Sequence, residues 1–425
     1  MRCHLESPDQ HSYDIIIIGG ALYGSSIAWF LSNDPCFSGK ILVIEKDPSY
    51  EFSSTARTNS CIRQQFSQRI NIEISQFGAN YIKNFREFMN NNSEIPNLNI
   101  ETFGYMYLAN NEKFAEALKK NQQIQQLANS KTRFMTALEI KSEYPFYNID
   151  DIIGGNHNLV DEGYFDGNTI FNWWKNSAKN NGVKYIKNEV VSLKLSKLEN
   201  KVESVILRSG DQINCGKIVN ASGPYASKIS SMAGIDLPVE PRKRYSFVFK
   251  AEKPLSKKLP LTIDPSGVHM RSDGINYLAG CPPDNDIGVD YQDFAFDHTI
   301  WENKIWPILA HRIPAFEKIK SVNAWAGHYA FNTFDQNAII GPHPEVTNFF
   351  FANGFSGHGL QQSPAVGRGI SELIIYNKYM NSKAKDLNID EIILILINRK
   401  YFIGITTTIL IFLSVMYLLW LPNIY

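Results

Sequence analysis

The sequence lacks a net charge: its 425 residues carry 42 Lys plus Arg against 42 Asp plus Glu. No one-signed field exists to gather phosphate backbones, and nucleic acid is not expected as a partner. Cysteine is scarce. Cys3, Cys36, Cys61, Cys215 and Cys281 are odd in number and scattered, with no close pair for a metal knuckle or a redox dithiol, so the pattern implies no metal site and suits a reducing compartment. Long apolar runs are absent near the start, where the residues before Tyr13 are polar and the run at 15–18 is only four isoleucines; no signal peptide is expected. Internal repeats and low-complexity linkers are lacking as well. What is abundant is apolar material, 44% of the chain, enough for a large core and more than one domain.

The four isoleucines at 15–18 run straight into Gly19 and Gly20, the pattern of a strand buried on both faces of a parallel sheet. Ile27, Ala28, Phe30 and Leu31 give the next segment an apolar helical face, Asp34-Pro35 ends it, and residues 41–44 form a second buried strand. Gly19 and Gly24 stand at the first and third glycine positions of a dinucleotide turn, and Ala21 takes the middle one. In such a turn Gly19 permits the reversal, Gly24 lets helix and strand approach, and the N–H groups around Gly20 and Ala21 receive a pyrophosphate. Glu45, 21 residues after Gly24, ends the second strand where an acid accepts ribose hydroxyls and opposes a 2′-phosphate. A glycine turn alone could be structural, and the unit does not distinguish NAD from FAD.

Apolar residues recurring from Ile70 to Phe88 predict a longer amphipathic helix. Further on, short runs such as 202–207, 245–249 and 276–279 alternate with Gly, Pro, Asp and Ser, as in an antiparallel sheet. The expected fold is α/β: a Rossmann-like dinucleotide domain (13–95, 150–235 and 325–380) interleaved with an antiparallel-sheet substrate domain (96–149 and 236–324). Residues 349–352 read as a buried strand, 354–359 (Gly-Phe-Ser-Gly-His-Gly) as a loop meeting a flat ligand or merely a flexible one, and 363–376 as a helix pointing its N-terminus at that loop.

Several segments carry a resemblance that spans Tyr13 to about residue 400. Residues 219–225 (Val-Asn-Ala-Ser-Gly-Pro-Tyr) are similar to the second adenine-side turn of the flavin amine oxidases, the superfamily of sarcosine oxidase, dimethylglycine dehydrogenase and D-amino-acid oxidase; residues 354–359 resemble its C-terminal flavin loop. Segments 62–67, 237–245, 332–337 and 359–362 resemble a narrower group, the FAD-dependent oxidoreductase domain-containing proteins. The resemblance implies one noncovalent FAD, held by Gly19, Gly20, Ala21, Gly24, Glu45, Ala221, Gly223, Gly354, Gly357, His358 and Gly359. It implies a small-molecule amine substrate, a secondary or N-methylated amino acid oxidised to an imine, with oxygen, quinone or an electron-transfer flavoprotein as acceptor. The narrower group is associated in eukaryotes with building respiratory complex I, so a flavin-bound assembly factor is the alternative.

Arg63 matches the superfamily's substrate-carboxylate arginine, for which a guanidinium suits because it donates two parallel hydrogen bonds; an arginine paired with a structural carboxylate is the competing reading. Gln361 stands where sarcosine oxidases place a second, cationic carboxylate ligand. His328 stands where one branch attaches flavin through cysteine, or is a hydrogen-bonded core histidine. His358 belongs to the flavin loop, most simply as a brace. Asp335 is expected to hold the loop near the flavin, and Arg242, Lys243 and Arg244 to form an exposed basic cluster. Finally, residues 402–421 are uncharged, and twelve of them are Leu, Ile, Phe or Val. They would span about 30 Å as a helix, the hydrocarbon thickness of a bilayer. With Arg399 and Lys400 before them, they predict a C-terminal transmembrane anchor with the flavin domains on the cytoplasmic side. Without insertion the protein would be soluble and cytoplasmic.

Overall fold

The computed structural model describes residues 5–196 and 198–380. The isoleucine run forms the strand Ser12–Ile18 at the centre of an eight-stranded sheet. Ile15 and Ile17 enter one core with Leu22, Ile27 and Leu31 of the helix Leu22–Asn33, while Ile16 and Ile18 enter a second core on the opposite face with Leu42 and Ile44. Burial of both faces explains why the run has no polar alternation; each such side chain contributes roughly 1.5–3 kcal/mol.

Parallel neighbours flank this strand: Gln212–Asn220 then Phe349–Asn353 on one side, Ile41–Glu45 then Lys184–Lys187 on the other. Ile339–Pro342 adds an antiparallel edge, and Val190–Leu195 with Val202–Leu207 extends the sheet antiparallel from Gln212–Asn220. The carboxyl ends Ile18, Glu45, Asn220 and Asn353 therefore lie at one edge of the sheet, where open α/β sheets bind their ligands.

A second eight-stranded sheet runs in the order Ile319–Asn332, Val239–Ala251, Asn276–Cys281, His269–Asp273, Leu261–Ile263, Tyr105–Ala109, Gly154–Asn158 and Arg133–Thr136. Every pairing is antiparallel except Leu261–Ile263 with Tyr105–Ala109, the joint between two distant chain segments. Gly154–Asn158 belongs to this sheet although it follows the expected boundary at 150, and Ile319–Asn332 runs across the one expected at 325. The amphipathic helix is two pieces, Arg69–Lys83 and Phe85–Phe88, because Asn84 leaves helical geometry with its side chain bonded back to Asn80 O. No helix among the described residues is long and apolar enough to cross a membrane; the segment 402–421 lies outside the described residues.

Candidate active site

Gly19 takes φ +97°, a conformation that favours glycine, so that the chain can turn from strand into helix. The helix Leu22–Asn33 starts at Ala21 with no side-chain cap and no acid in its first turn, leaving backbone donors and the positive end of the helix dipole for an anion. Gly24 lies against the turn: a Cβ there would sit 1.9 Å from Gly19 O. Glu45 closes the arrangement, accepting from Gly20 N at 2.8 Å and Asp47 N at 2.8 Å. Burial raises its pKa, although those two N–H donors favour the ionised form.

Ala221 and Gly223 enter from the neighbouring strand. Ala221 N donates to Ile18 O at 2.9 Å, and Gly223, at φ +57°, opens a short 3-10 turn. The third component is the loop after Phe349–Asn353, where Gly354 and Gly357 take φ +71° and +94°. Gly357 passes under Tyr329, whose ring would lie 2.5 Å from an added Cβ. The following helix is Gly359–Tyr376, with His358 at its N-cap position but no side-chain cap; it begins four residues earlier than expected, inside the loop itself. Tyr23 clamps loop and first helix together, stacking on Phe355 at 3.8 Å and donating to Gly359 O at 2.5 Å. Asp335 acts one step away: its Oδ1 accepts from Asn332 Nδ2 and Asn337 N, both at 2.9 Å, and Asn332 packs beside Gly354.

These parts open into one cavity of about 470 Å³, which Arg63, Tyr105, Tyr107, Tyr329 and His358 also line. Arg63 follows the short strand Cys61–Ile62. Its backbone N–H goes to Gln361 Oε1 at 2.7 Å, its Nη1 donates to Gln65 O, and its Nη2 meets His358 Nε2 at 2.8 Å. The guanidinium lies over the Phe66 ring at 3.9 Å and forms no ion pair with a carboxylate among the described residues, leaving N–H donors over for a ligand. Burial first, and Arg63 second, push the His358 pKa down to about 3, so the ring is neutral and its Nε2 accepts. Gln361 spends its Oε1 on the backbone of Arg63.

Three further features were not singled out from the sequence. Tyr105, Tyr107 and Tyr329 bring aromatic rings into the cavity from the second sheet, with pKa values raised by burial. Glu162, fully buried, accepts from Gln64 N at 2.6 Å and Gln65 Nε2 at 2.9 Å, and burial pushes it up to about 7. His269 also lines the cavity, against Asn59 Nδ2 at 3.0 Å. Only the tertiary fold brings these together, so no local pattern signals them.

The expectation of an exposed basic cluster is overturned. Arg242, Lys243 and Arg244 are buried or half-buried, and each pairs with a carboxylate of the segment 282–298. The register of the 13-residue strand Val239–Ala251 places them against that segment instead of solvent. His328 lines the cavity with its Nε2 2.8 Å from Asp293 O and its ring on Phe294 at 4.1 Å.

Four imidazoles, His157 and His328 buried and His269 and His358 half-buried in the cavity wall, carry a consequence for stability. His157 and His269 are pushed to about 4, His358 to about 3, and His328 is lowered, in each case chiefly by burial. Below about pH 6.5 the unfolded chain gains protons on histidine that the folded chain refuses. Stability should fall as pH drops toward 4, by on the order of several kcal/mol. Glu45 and Glu162, both raised, act in the opposite sense, but four imidazoles outweigh two carboxyls. Melting temperatures that stay flat from pH 6.5 to 4.5 would contradict this.

The family described as DAO, FAD dependent oxidoreductase, matches residues 14–373. FAD-dependent oxidoreductase domain-containing protein 1 of Xenopus laevis is 35% identical over 394 residues, covering 85% of this chain and 79% of that protein. Sarcosine oxidase subunit beta of Rhodobacter capsulatus is 22% identical, covering 85% and 84%. Among solved structures, L-proline dehydrogenase from P. horikoshii superposes with a TM-score of 0.74 at 27% identity, covering 87% of this chain and 94% of that one.

Proposed function

The chain belongs to the DAO family of FAD-dependent oxidoreductases, and from that premise we propose that it oxidises a secondary or N-methylated amino acid to an imine, which water then hydrolyses. The cofactor is FAD, and the strand-end cradle fits it: an uncapped helix start, two glycines whose Cβ atoms would strike backbone, and an acid at the end of the second strand. Bound there, FAD would supply the hydride acceptor that the oxidation needs. The chain's own residues do the rest. Arg63 anchors the carboxylate, with Phe66 below the guanidinium and His358 at its edge fixing its plane. His358, its pKa lowered and its Nε2 already accepting from Arg63 Nη2, is a poor proton acceptor, so the amine loses its proton to solvent before the carbon–hydrogen bond breaks.

The observation that carries this reading is Arg63 itself, a guanidinium facing a cavity with no ion-paired carboxylate among the described residues. Relatives whose names specify sarcosine, and a structural neighbour named for L-proline, support a secondary amine. Anaerobic addition of sarcosine, dimethylglycine, L-proline and D-amino acids to the purified protein should bleach the flavin band for at least one secondary or tertiary amine. A spectrum unmoved by the whole panel, with no dye reduction, would reject oxidation and leave the assembly-factor reading.

We further propose that the flavin is noncovalent. His328 uses its Nε2 on Asp293 O and lies flat on Phe294. Acid precipitation should leave a white pellet and a yellow supernatant; a yellow pellet would assign attachment to His328. The membrane anchor at 402–421 also stands as a proposal, tested by fractionation. Intact protein should need detergent for release, and its recovery in the soluble fraction at low salt would reject the anchor.

A further inference from the structure

Residues 282–298 have no regular secondary structure, yet they pass beside the cavity: Tyr291 and Phe294 are part of its lining. Lys304 holds the start of the segment through Asp284 at 2.6 Å, and the basic strand supplies the remaining ion pairs. Arg244 grips Asp286 with both terminal nitrogens, at 2.6 and 2.8 Å, and Arg242 approaches the same carboxylate at 3.6 Å. Lys243 donates to Asp293 Oδ1 at 2.7 Å and Ala295 O at 3.0 Å. One short backbone contact, Val289 N to Pro241 O at 2.9 Å, joins the two segments between these pairs.

The inner side of the segment completes the cavity wall. Asp293 is held by Lys243 through its carboxylate and meets His328 Nε2 through its carbonyl, while the next residue, Phe294, stacks on the His328 ring. Tyr291 stacks on Tyr225 at 4.8 Å, and its hydroxyl meets Ser227 Oγ at 3.1 Å. Tyr225 belongs to the turn that also carries Ala221 and Gly223. The segment thus rests on the cofactor end of the cavity through aromatic rings and is fastened through ion pairs. Lacking a hydrogen-bond ladder, it can open at lower free energy than the sheet beneath it.

We infer that residues 282–298 form a strap closed over the bound flavin, and that Lys243 is the positioning residue that keeps it closed. Lys243 is 7% exposed, and an ammonium in such a place is costly unless paired; removing the pair releases Asp293, and with it the His328–Phe294 wall. The inference is independent of which amine is oxidised, since it concerns retention of the cofactor.

The test uses the full-length holoprotein and follows flavin release by the rise of free-flavin fluorescence after dilution. Lys243→Gln should release flavin about tenfold faster, with the spectrum of the bound flavin and the thermal melt of the loaded protein little changed. Lys243→Arg should restore the slow rate, and limited proteolysis of Lys243→Gln should cut within 282–298. Equal release rates in all three proteins would overturn the inference. So would faster release in Lys243→Gln and Lys243→Arg alike that tracks a lowered melting temperature, because Lys243 would then serve the fold as a whole.

Discussion

Gly24→Val is expected to purify without flavin. The added Cβ would stand 1.9 Å from Gly19 O and 2.9 Å from Gly19 C. Both are backbone atoms of the turn itself, so no side-chain rotation relieves the clash. The helix must shift away from the strand, at a cost of roughly 1–3 kcal/mol or more in packing, and the donors at its start leave the pyrophosphate position. Folding should survive, because the two cores on either face of the sheet are formed by many other residues. Circular dichroism would then report a folded, colourless protein. A contrasting substitution is Gly223→Ala, where φ is +57° but an added Cβ meets nothing within 4 Å. It costs only left-handed strain, about 1–2 kcal/mol, and should keep most of its flavin. Normal flavin content in Gly24→Val would remove this turn from the cofactor site.

The contrast between these glycines shows what was legible in the chain and what was not. Residues 15–45 announce strand, turn, helix, strand and acid because the contacts that shape the turn lie within that stretch: Gly24 meets Gly19, and Glu45 meets Gly20. The flavin loop is legible for the same reason, as a buried strand, glycines and a helix in succession, although Gly359 proved to be helical already. The second sheet is harder. Its joint pairs Tyr105 with Leu261, residues that share no pattern and whose pairing depends on loop closure over a long stretch of chain. Tyr105 and Tyr107 reach the cavity through that sheet, and Glu162 holds Gln64 and Gln65 behind it, so their places could not be read in advance. The basic triplet failed for a different reason. Its charges were evident, but apart from Glu240, which pairs with Arg242, its carboxylate partners lie more than forty residues away, in a segment without periodicity.

Arg63→Ala should abolish most substrate affinity while leaving flavin content unchanged. The cofactor cradle is made by the glycine turn, Glu45 and the loop 354–359, whereas the guanidinium is fixed beside them by Gln65 O, His358 Nε2 and the Phe66 ring. Removing it leaves the cradle standing and a carboxylate with no anchor in a cavity walled by tyrosines. Losing a charge-assisted pair of this kind costs roughly 2–5 kcal/mol, which at about 1.4 kcal/mol per decade corresponds to a thirtyfold to several-thousandfold fall in kcat/KM. Arg63→Lys should recover only part of it. An ammonium restores the charge but loses the planar fork, the hydrogen bond to His358 in its present direction and the flat contact with Phe66. Two measurements decide the matter for whichever amine bleaches the flavin: the flavin-to-protein ratio and the concentration dependence of anaerobic reduction. A normal ratio with half-saturation moved far upward is the expected pair. Unchanged reduction kinetics in Arg63→Ala would return Arg63 to a structural brace for the loop and remove the observation on which amine oxidation rests.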